Sequence, residues 1–269
     1  MLLALALAAC APETTLLEGD GGLDVAANPK IYRGSDPTRA YHDAVVSLHY
    51  RTKRGVYTDP FCTGTLIGED WVLTAAHCVT TSRGGTMGAS SIAIYQGDDP
   101  SADLASNVYY VSGVTKHASY DDSTMYNDIA VIELSTPITS VDPVPYLPSS
   151  LKLGSSDVGD DVNFVGFGYD ESGGYGVKQQ VSLPIDGFGC SVSGCPDAGA
   201  VKKQFSYEQD SAGGTGPCSG DSGGPAIIMR SGDPYVAGIT SYGDSRCVVY
   251  GVSTRVDNYA TWINSKTGL

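Results

Sequence analysis

Three runs lie within 226–256: Ala226-Ile227-Ile228-Met229, then Tyr235-Val236-Ala237-Gly238-Ile239-Thr240-Ser241-Tyr242-Gly243, then Tyr250-Gly251-Val252-Ser253-Thr254-Arg255-Val256. Each is short and rich in β-branched and aromatic residues, and clusters of Gly, Pro, Asp and Ser separate them. That texture predicts antiparallel strands rather than βαβ units. It continues outward through residues 162–168 and 177–183, and back through 44–50, 62–68, 91–97, 108–114 and 129–134. One helix is expected, over 256–265, because Val256, Tyr259, Ala260 and Ile263 fall at i, i+3, i+4 and i+7, with Asp257 near the start and Gly268 beyond the end. Three prolines within 141–149 (VDPVPYLPS) exclude a central strand there. The expected fold is therefore all-β, an antiparallel sandwich or barrel in two similar-sized units joined through that stretch, followed by a C-terminal helix.

Composition narrows the function classes. The 269 residues are 41% apolar and 17% charged, which excludes a chain disordered throughout. The 34 glycines and 14 prolines favour many turns over long helices. No apolar run reaches the roughly 18 residues that would span a bilayer. A net charge of −14 repels phosphate backbones and argues against nucleic acid as a partner. Seven cysteines point to an oxidising compartment, with one left over after pairing.

The N-terminal segment has its own character. Residues 1–10, MLLALALAAC, are nine apolar residues and then Cys10, the apolar core of an export signal. Leu7-Ala8-Ala9-Cys10 resembles the bacterial lipobox, in which the cysteine carries a lipid; the other reading is an ordinary cleaved signal with an incidental cysteine. Residues 11–30 collect acids, glycines and prolines and read as a propeptide or tether, so the folded body spans 31–269. Localisation is expected outside the cytoplasm: secreted, periplasmic, or held at an outer membrane only through a lipid on Cys10.

Three further segments carry chemistry: Leu73-Thr74-Ala75-Ala76-His77-Cys78, Asn127-Asp128-Ile129-Ala130-Val131-Ile132, and Gly220-Asp221-Ser222-Gly223-Gly224-Pro225. A serine hydroxyl is a weak nucleophile that needs a base beside it, and an imidazole with an ordinary pKa near 6.5 can take and return a proton. A carboxylate can then fix the imidazole tautomer. In the order His, Asp, Ser, these segments resemble the trypsin/chymotrypsin family of serine endopeptidases, from about Ile31 to the end of the chain. The resemblance implies two antiparallel β-barrels, approximately 31–142 and 150–256, with the active site in the cleft between them; catalytic His77, Asp128 and Ser222; an oxyanion hole from the N–H groups of Gly220 and Ser222; and Ser241 supporting the aspartate. His42, His49 and His117 read as surface or satisfied core histidines. No cofactor and no metal is implied; protein or peptide substrates are. The alternative reading is a protease-fold binding protein that has lost activity.

The same resemblance extends to activation, bridging and specificity. Lys30-Ile31 resembles the family's activation site, although Tyr32 and Arg33 depart from the usual pattern. Cleavage there, by another protease, would free an Ile31 amine to pair with Asp221. Cys62 with Cys78 and Cys218 with Cys247 match family bridges; Cys190 is then expected to pair locally with Cys195. The pocket is expected to have Gly216 and Pro217 at its floor and Ser241, Tyr242, Gly243 and Gly251 in its walls. Without a floor carboxylate it would favour apolar or aromatic side chains. The acidic loop 96–100, with Asp103, reads as a solvated turn.

Overall fold

The computed structural model describes residues 31–196 and 201–269. The signal segment, the propeptide, Cys10 and Lys30 lie outside the described residues. Six antiparallel strands come first: β1 (Val45–Thr52), β2 (Gly55–Gly68), β3 (Trp71–Thr74), β4 (Ile92–Tyr95), β5 (Val108–Lys116) and β6 (Ala130–Leu134). They close into a barrel in the order β1-β2-β3-β6-β5-β4. Leu48, Leu66, Val72, Ile92, Ile94 and Ile132 belong to its apolar core, so burial of branched aliphatic side chains holds the barrel together. The one four-residue α-helix of this half, α1 (Pro100–Asp103), is capped by Asp99, which accepts from Ser101 N.

The second half is a curled seven-stranded sheet in the order β8-β7-β11-β12-β13-β10-β9. Its strands are β7 (Asp161–Gly166), β8 (Gln179–Pro184), β9 (Gly187–Phe188), β10 (Gln204–Glu208), β11 (Pro225–Arg230), β12 (Asp233–Gly243) and β13 (Tyr250–Arg255). The fold class is the expected one, and the 226–256 runs form β11, β12 and β13. The C-terminal helix begins later than its periodicity suggests. Val256–Tyr259 is a 3₁₀ turn, and α2 runs Ala260–Thr267.

Both ends of the body cross over. Ile31 is buried in the core of the second half, and Tyr32 and Ser35 bridge to Gly216 and Gln180. Val256, Tyr259 and Ile263 instead pack into the core of the first. The expected division at 31–142 and 150–256 follows chain order, whereas the two ends of the body are buried in the opposite halves. Apolar side chains from both halves (Val45, Tyr95, Val165, Phe167 and Ile227) form the seam between them. Polar ties join the halves as well, among them His42 Nε2 to Asn163 Oδ1 at 2.8 Å and Lys178 Nζ to Asp98 Oδ1 at 2.9 Å. Burial pushes the Lys178 ammonium down, and the Asp98 carboxylate pulls it back. In the acidic loop, then, Asp98 pairs with lysine, Asp99 caps α1 and Asp103 accepts from Tyr95 Oη at 2.5 Å. Among the described residues no helix is long and apolar enough to cross a membrane.

Candidate active site

Strand pairing explains how residues 51 positions apart meet. Strand β3 ends at Thr74, paired with Ala130 at the start of β6. The chain then places His77 on the 3₁₀ turn just after β3 and Asp128 just before β6, at the same end of the ladder. His77 N donates to Asp128 Oδ1 at 2.9 Å, and Nδ1 bonds Oδ2 at 2.8 Å. Asp128 is fully buried, and Ser241 Oγ, arriving from β12, donates to the same Oδ2 at 2.5 Å. Burial alone would lower the His77 pKa. The Asp128 carboxylate outweighs it by charge and hydrogen bond, so the imidazole lies above its ordinary value.

Ser222 enters from the second half, on the turn preceding β11. Thr63 of β2 holds that turn: its N donates to Ser222 O at 2.8 Å and its Oγ1 to Gly220 O at 2.9 Å. Cys78 Sγ lies 3.5 Å from Ser222 O and 3.7 Å from His77 Nε2, so serine and imidazole flank the same sulfur. Ser222 Oγ is not hydrogen-bonded to Nε2, a contact that tightens in many enzymes only once substrate is bound. The N–H groups of Gly220 and Ser222 have no acceptor among the described residues, which leaves both donors free. Gly220 has φ +100°, and a Cβ there would lie 2.6 Å from the Tyr175 ring and 2.8 Å from Gly168 Cα. No other residue fits that turn.

Beneath the nucleophile, Asp221 is buried and accepts from Gly168 N and Cys218 N, each at 2.8 Å. It has no cation partner among the described residues. Burial pushes its carboxyl up to about 7. Disulfides join Cys62 to Cys78, Cys190 to Cys195 and Cys218 to Cys247. Cys62, His77 and Cys78 bring three potential ligand atoms within 4.8 Å of one another. The sulfurs are bonded to each other, so the imidazole is the only competent metal ligand there.

Beside Ser222 opens a cavity of about 250 Å³ lined by Pro217, Ser219, Ser241, Tyr242, Gly243 and Gly251, among others. Gly216 is absent from that lining, contrary to the sequence expectation. Its N–H donates to Tyr32 O, and its α-carbon faces the Gln209 side chain, so it stands behind the pocket. The lining also includes residues that the sequence reading did not assign to the pocket, among them Tyr207, Ser219, Thr240 and Ser245. Thr240 lies in a recognised run, but Tyr207 lies on β10, which the sequence reading did not identify. Asp244 also lines the cavity, and its carboxylate accepts from the N–H groups of Arg246, Val248, Val249 and Tyr250. The remaining histidines are structural. His42 bonds Asn163, His49 bonds Ser47 and Tyr57 O, and His117 packs on Tyr259 and Trp262.

Residues 31–263 match the family model described as Trypsin. The chain is 30% identical over 247 residues to a trypsin of Phaedon cochleariae, covering 89% of each protein. It is 33% identical over 219 residues to brachyurin of Leptuca pugilator, covering 78% of this chain and 88% of that one. Vitamin K-dependent protein C of Rattus norvegicus is 29% identical over 217 residues, 77% of this chain and 46% of its own.

Proposed function

Because the chain belongs to the trypsin family of serine endopeptidases, we propose that His77, Asp128 and Ser222 are its catalytic residues. One observation carries this reading: the hydrogen-bonded series Ser241 Oγ, Asp128 and His77 Nδ1, with His77 Nε2 and the Ser222 backbone oxygen both against Cys78 Sγ. Ser222 Oγ attacks the scissile carbonyl carbon while His77 Nε2 takes its proton. His77 then gives the proton to the departing amine, leaving an acyl-enzyme that water hydrolyses by the same steps. The oxyanion meets the free N–H groups of Gly220 and Ser222, each donor worth about 3 kcal/mol of barrier. A serine-reactive phosphonate should inactivate the protein and label Ser222. A protein that is neither labelled nor inhibited would instead be the inactive protease-fold binder.

Cleavage specificity follows from the pocket. The one carboxylate in its lining, Asp244, is turned into its own loop, where it accepts from the N–H groups of Val248 and Val249. A neutral pocket selects an apolar or aromatic residue at the cleaved bond. A peptide p-nitroanilide ending in Phe should be cut faster than one ending in Arg, and the reverse order would refute this selection.

The protein is made as a zymogen cut after Lys30. Ile31 is already buried, Tyr32 pairs with Gly216, and Asp221 is a buried carboxylate with no cation partner among the described residues. An α-amine released at Ile31 supplies the missing charge. A neutral pocket does not accept Lys30, so the activating enzyme is a different protease. Lys30→Ala protein with full activity would end this reading. Three disulfides fit an exported protein. Lipid on Cys10 is tested by co-migration of labelled fatty acid in the native host.

A further inference from the structure

The cavity beside Ser222 holds polar groups that neutrality alone does not explain. Tyr207 of β10 stands opposite Gly251 of β13, and Ser253, two residues further along β13, stands opposite Thr240 of β12. Three neighbouring strands thus turn Tyr207, Ser253 and Thr240 to one face of the sheet. On that face Tyr207, Thr240 and Gly251 line the cavity. The Tyr207 ring is gripped by Phe164, with centroids 4.4 Å apart, and by Phe205 at 6.4 Å. A Cβ on Gly251 would meet the end of that ring and its Oη, so the phenol tip lies against the bare α-carbon of the cavity wall. Tyr207 and Ser253 are fully buried, yet neither Tyr207 Oη nor Ser253 Oγ completes a hydrogen bond among the described residues. Burial pushes the Tyr207 phenol up further than the Ser253 and Thr240 hydroxyls beside it pull it back, so it keeps its proton and can donate.

A buried hydroxyl without a partner is costly, and native proteins leave few of them. In the wall of a substrate cavity, the missing partner is a group that the substrate brings. An aliphatic side chain or a phenyl ring would seal the hydroxyl from water and leave it unmet. A phenol ends in one donor and two acceptor sites on the same flat ring, and it meets the wall hydroxyl without introducing a charge. Lysine or arginine would bring a charge with nothing to neutralise it, since the Asp244 carboxylate is committed to its own loop. Resting on the neutral-pocket reading above, we infer that Tyr207 is a specificity-determining residue, whose Oη hydrogen-bonds the tip of the side chain before the scissile bond. The pocket selects tyrosine there over phenylalanine. The selecting group comes from β10, a strand that supplies none of the catalytic residues.

The test compares p-nitroanilides of one peptide sequence ending in Tyr, Phe, 4-methyl-Phe or Arg. A 4-methyl group fills the place of the phenol oxygen without hydrogen bonding, so it separates bonding from volume. In the wild type, kcat/KM for the Tyr substrate should exceed that for the Phe and 4-methyl-Phe substrates by about tenfold or more, the loss expected when a buried hydroxyl is left unpaired. Tyr207→Phe keeps the ring against Phe164 and Phe205 and removes only the oxygen, so its Tyr-to-Phe ratio should fall toward one. Each ratio is internal to one protein and independent of the fraction that is correctly folded. Equal wild-type values for Tyr, Phe and 4-methyl-Phe, or a Tyr-to-Phe ratio unchanged in Tyr207→Phe, overturns the inference while leaving the neutral pocket intact. Fastest cleavage of the Arg substrate overturns both, and so does absence of cleavage altogether.

Discussion

In the closed barrel, His77 and Asp128 sit at the ends of two directly paired strands, β3 and β6, and the ladder itself sets their separation. In the curled sheet, Ser222, Asp221 and Gly220 lie on a turn with little regular backbone. What positions them is borrowed: Thr63 reaches over from the barrel, and Gly168 and Cys218 donate to Asp221 from the flanking loops. The base is therefore held by secondary structure and the nucleophile by tertiary contacts. The first arrangement exists whenever the barrel folds. The second depends on a buried carboxylate finding a counter-charge.

The most drastic way to probe this contrast is to remove one group from each half. Ser222→Ala and His77→Ala should each lower kcat by about 10⁶, and the double variant should lose little more, because the groups act as a unit. Additive losses in steady-state assays would mean that the halves contribute separately. Next in size, Asp128→Asn should cost about 10⁴ in kcat through the wrong tautomer. Asp128 raises the His77 pKa, and activity requires neutral imidazole. The acid limb of kcat/KM should therefore lie above pH 6.5 in the wild type and move to lower pH in the variant.

A smaller effect separates the halves by stability. Asp221 in the uncut chain has its carboxyl raised to about 7, against 3.8 when unfolded. Folding then favours the protonated form, and this contribution is fully present below pH 4 and lost as pH rises through 7. The loss is on the order of 4 kcal/mol. Urea midpoints of the uncut chain should fall across that window and stay flat in Asp221→Asn. In the cleaved protein the slope should disappear if the Ile31 amine has paired with the carboxylate. Least in size, replacing Cys62/Cys78 by serines should cost about 3 kcal/mol and replacing Cys190/Cys195 about 2 kcal/mol. The ordering follows from sequence separations of 16 and 5. The reverse order in denaturant titrations would place the weaker constraint in the barrel.

The residues that could be read directly from sequence carry their own context. Ser222 lies among glycines that only a tight turn needs, and β11 to β13 announce themselves by β-branched runs between turn residues. Strand β10 does not. Gln204, Ser206 and Tyr207 are all buried, but polar residues at alternate positions hide that, and only pairing with β13 and β9 explains it. The family resemblance puts Gly216 at the pocket floor. The backbone there turns away to pair with Tyr32, and no local sequence signal marks that turn. Lys178 is the extreme case: a fully buried lysine whose partner, Asp98, is eighty positions away. Exchange of the two termini between the halves is equally silent, because burial of Ile31 and Ile263 depends on cores built elsewhere in the chain.

Thr63 bonds the backbone oxygens of both Ser222 and Gly220, while its own oxygen accepts from Thr74 Oγ1 at 2.8 Å and its Oγ1 accepts from Phe167 N at 3.2 Å. One side chain in the barrel is thus the mould in which the other half's oxyanion turn is cast. If the proline-rich connection 141–149 were severed, neither fragment would hold a working site, however well it folded alone. Mixed, the two fragments would become a reporter of their own reassembly, with turnover rising only as Thr63 closed over the serine turn.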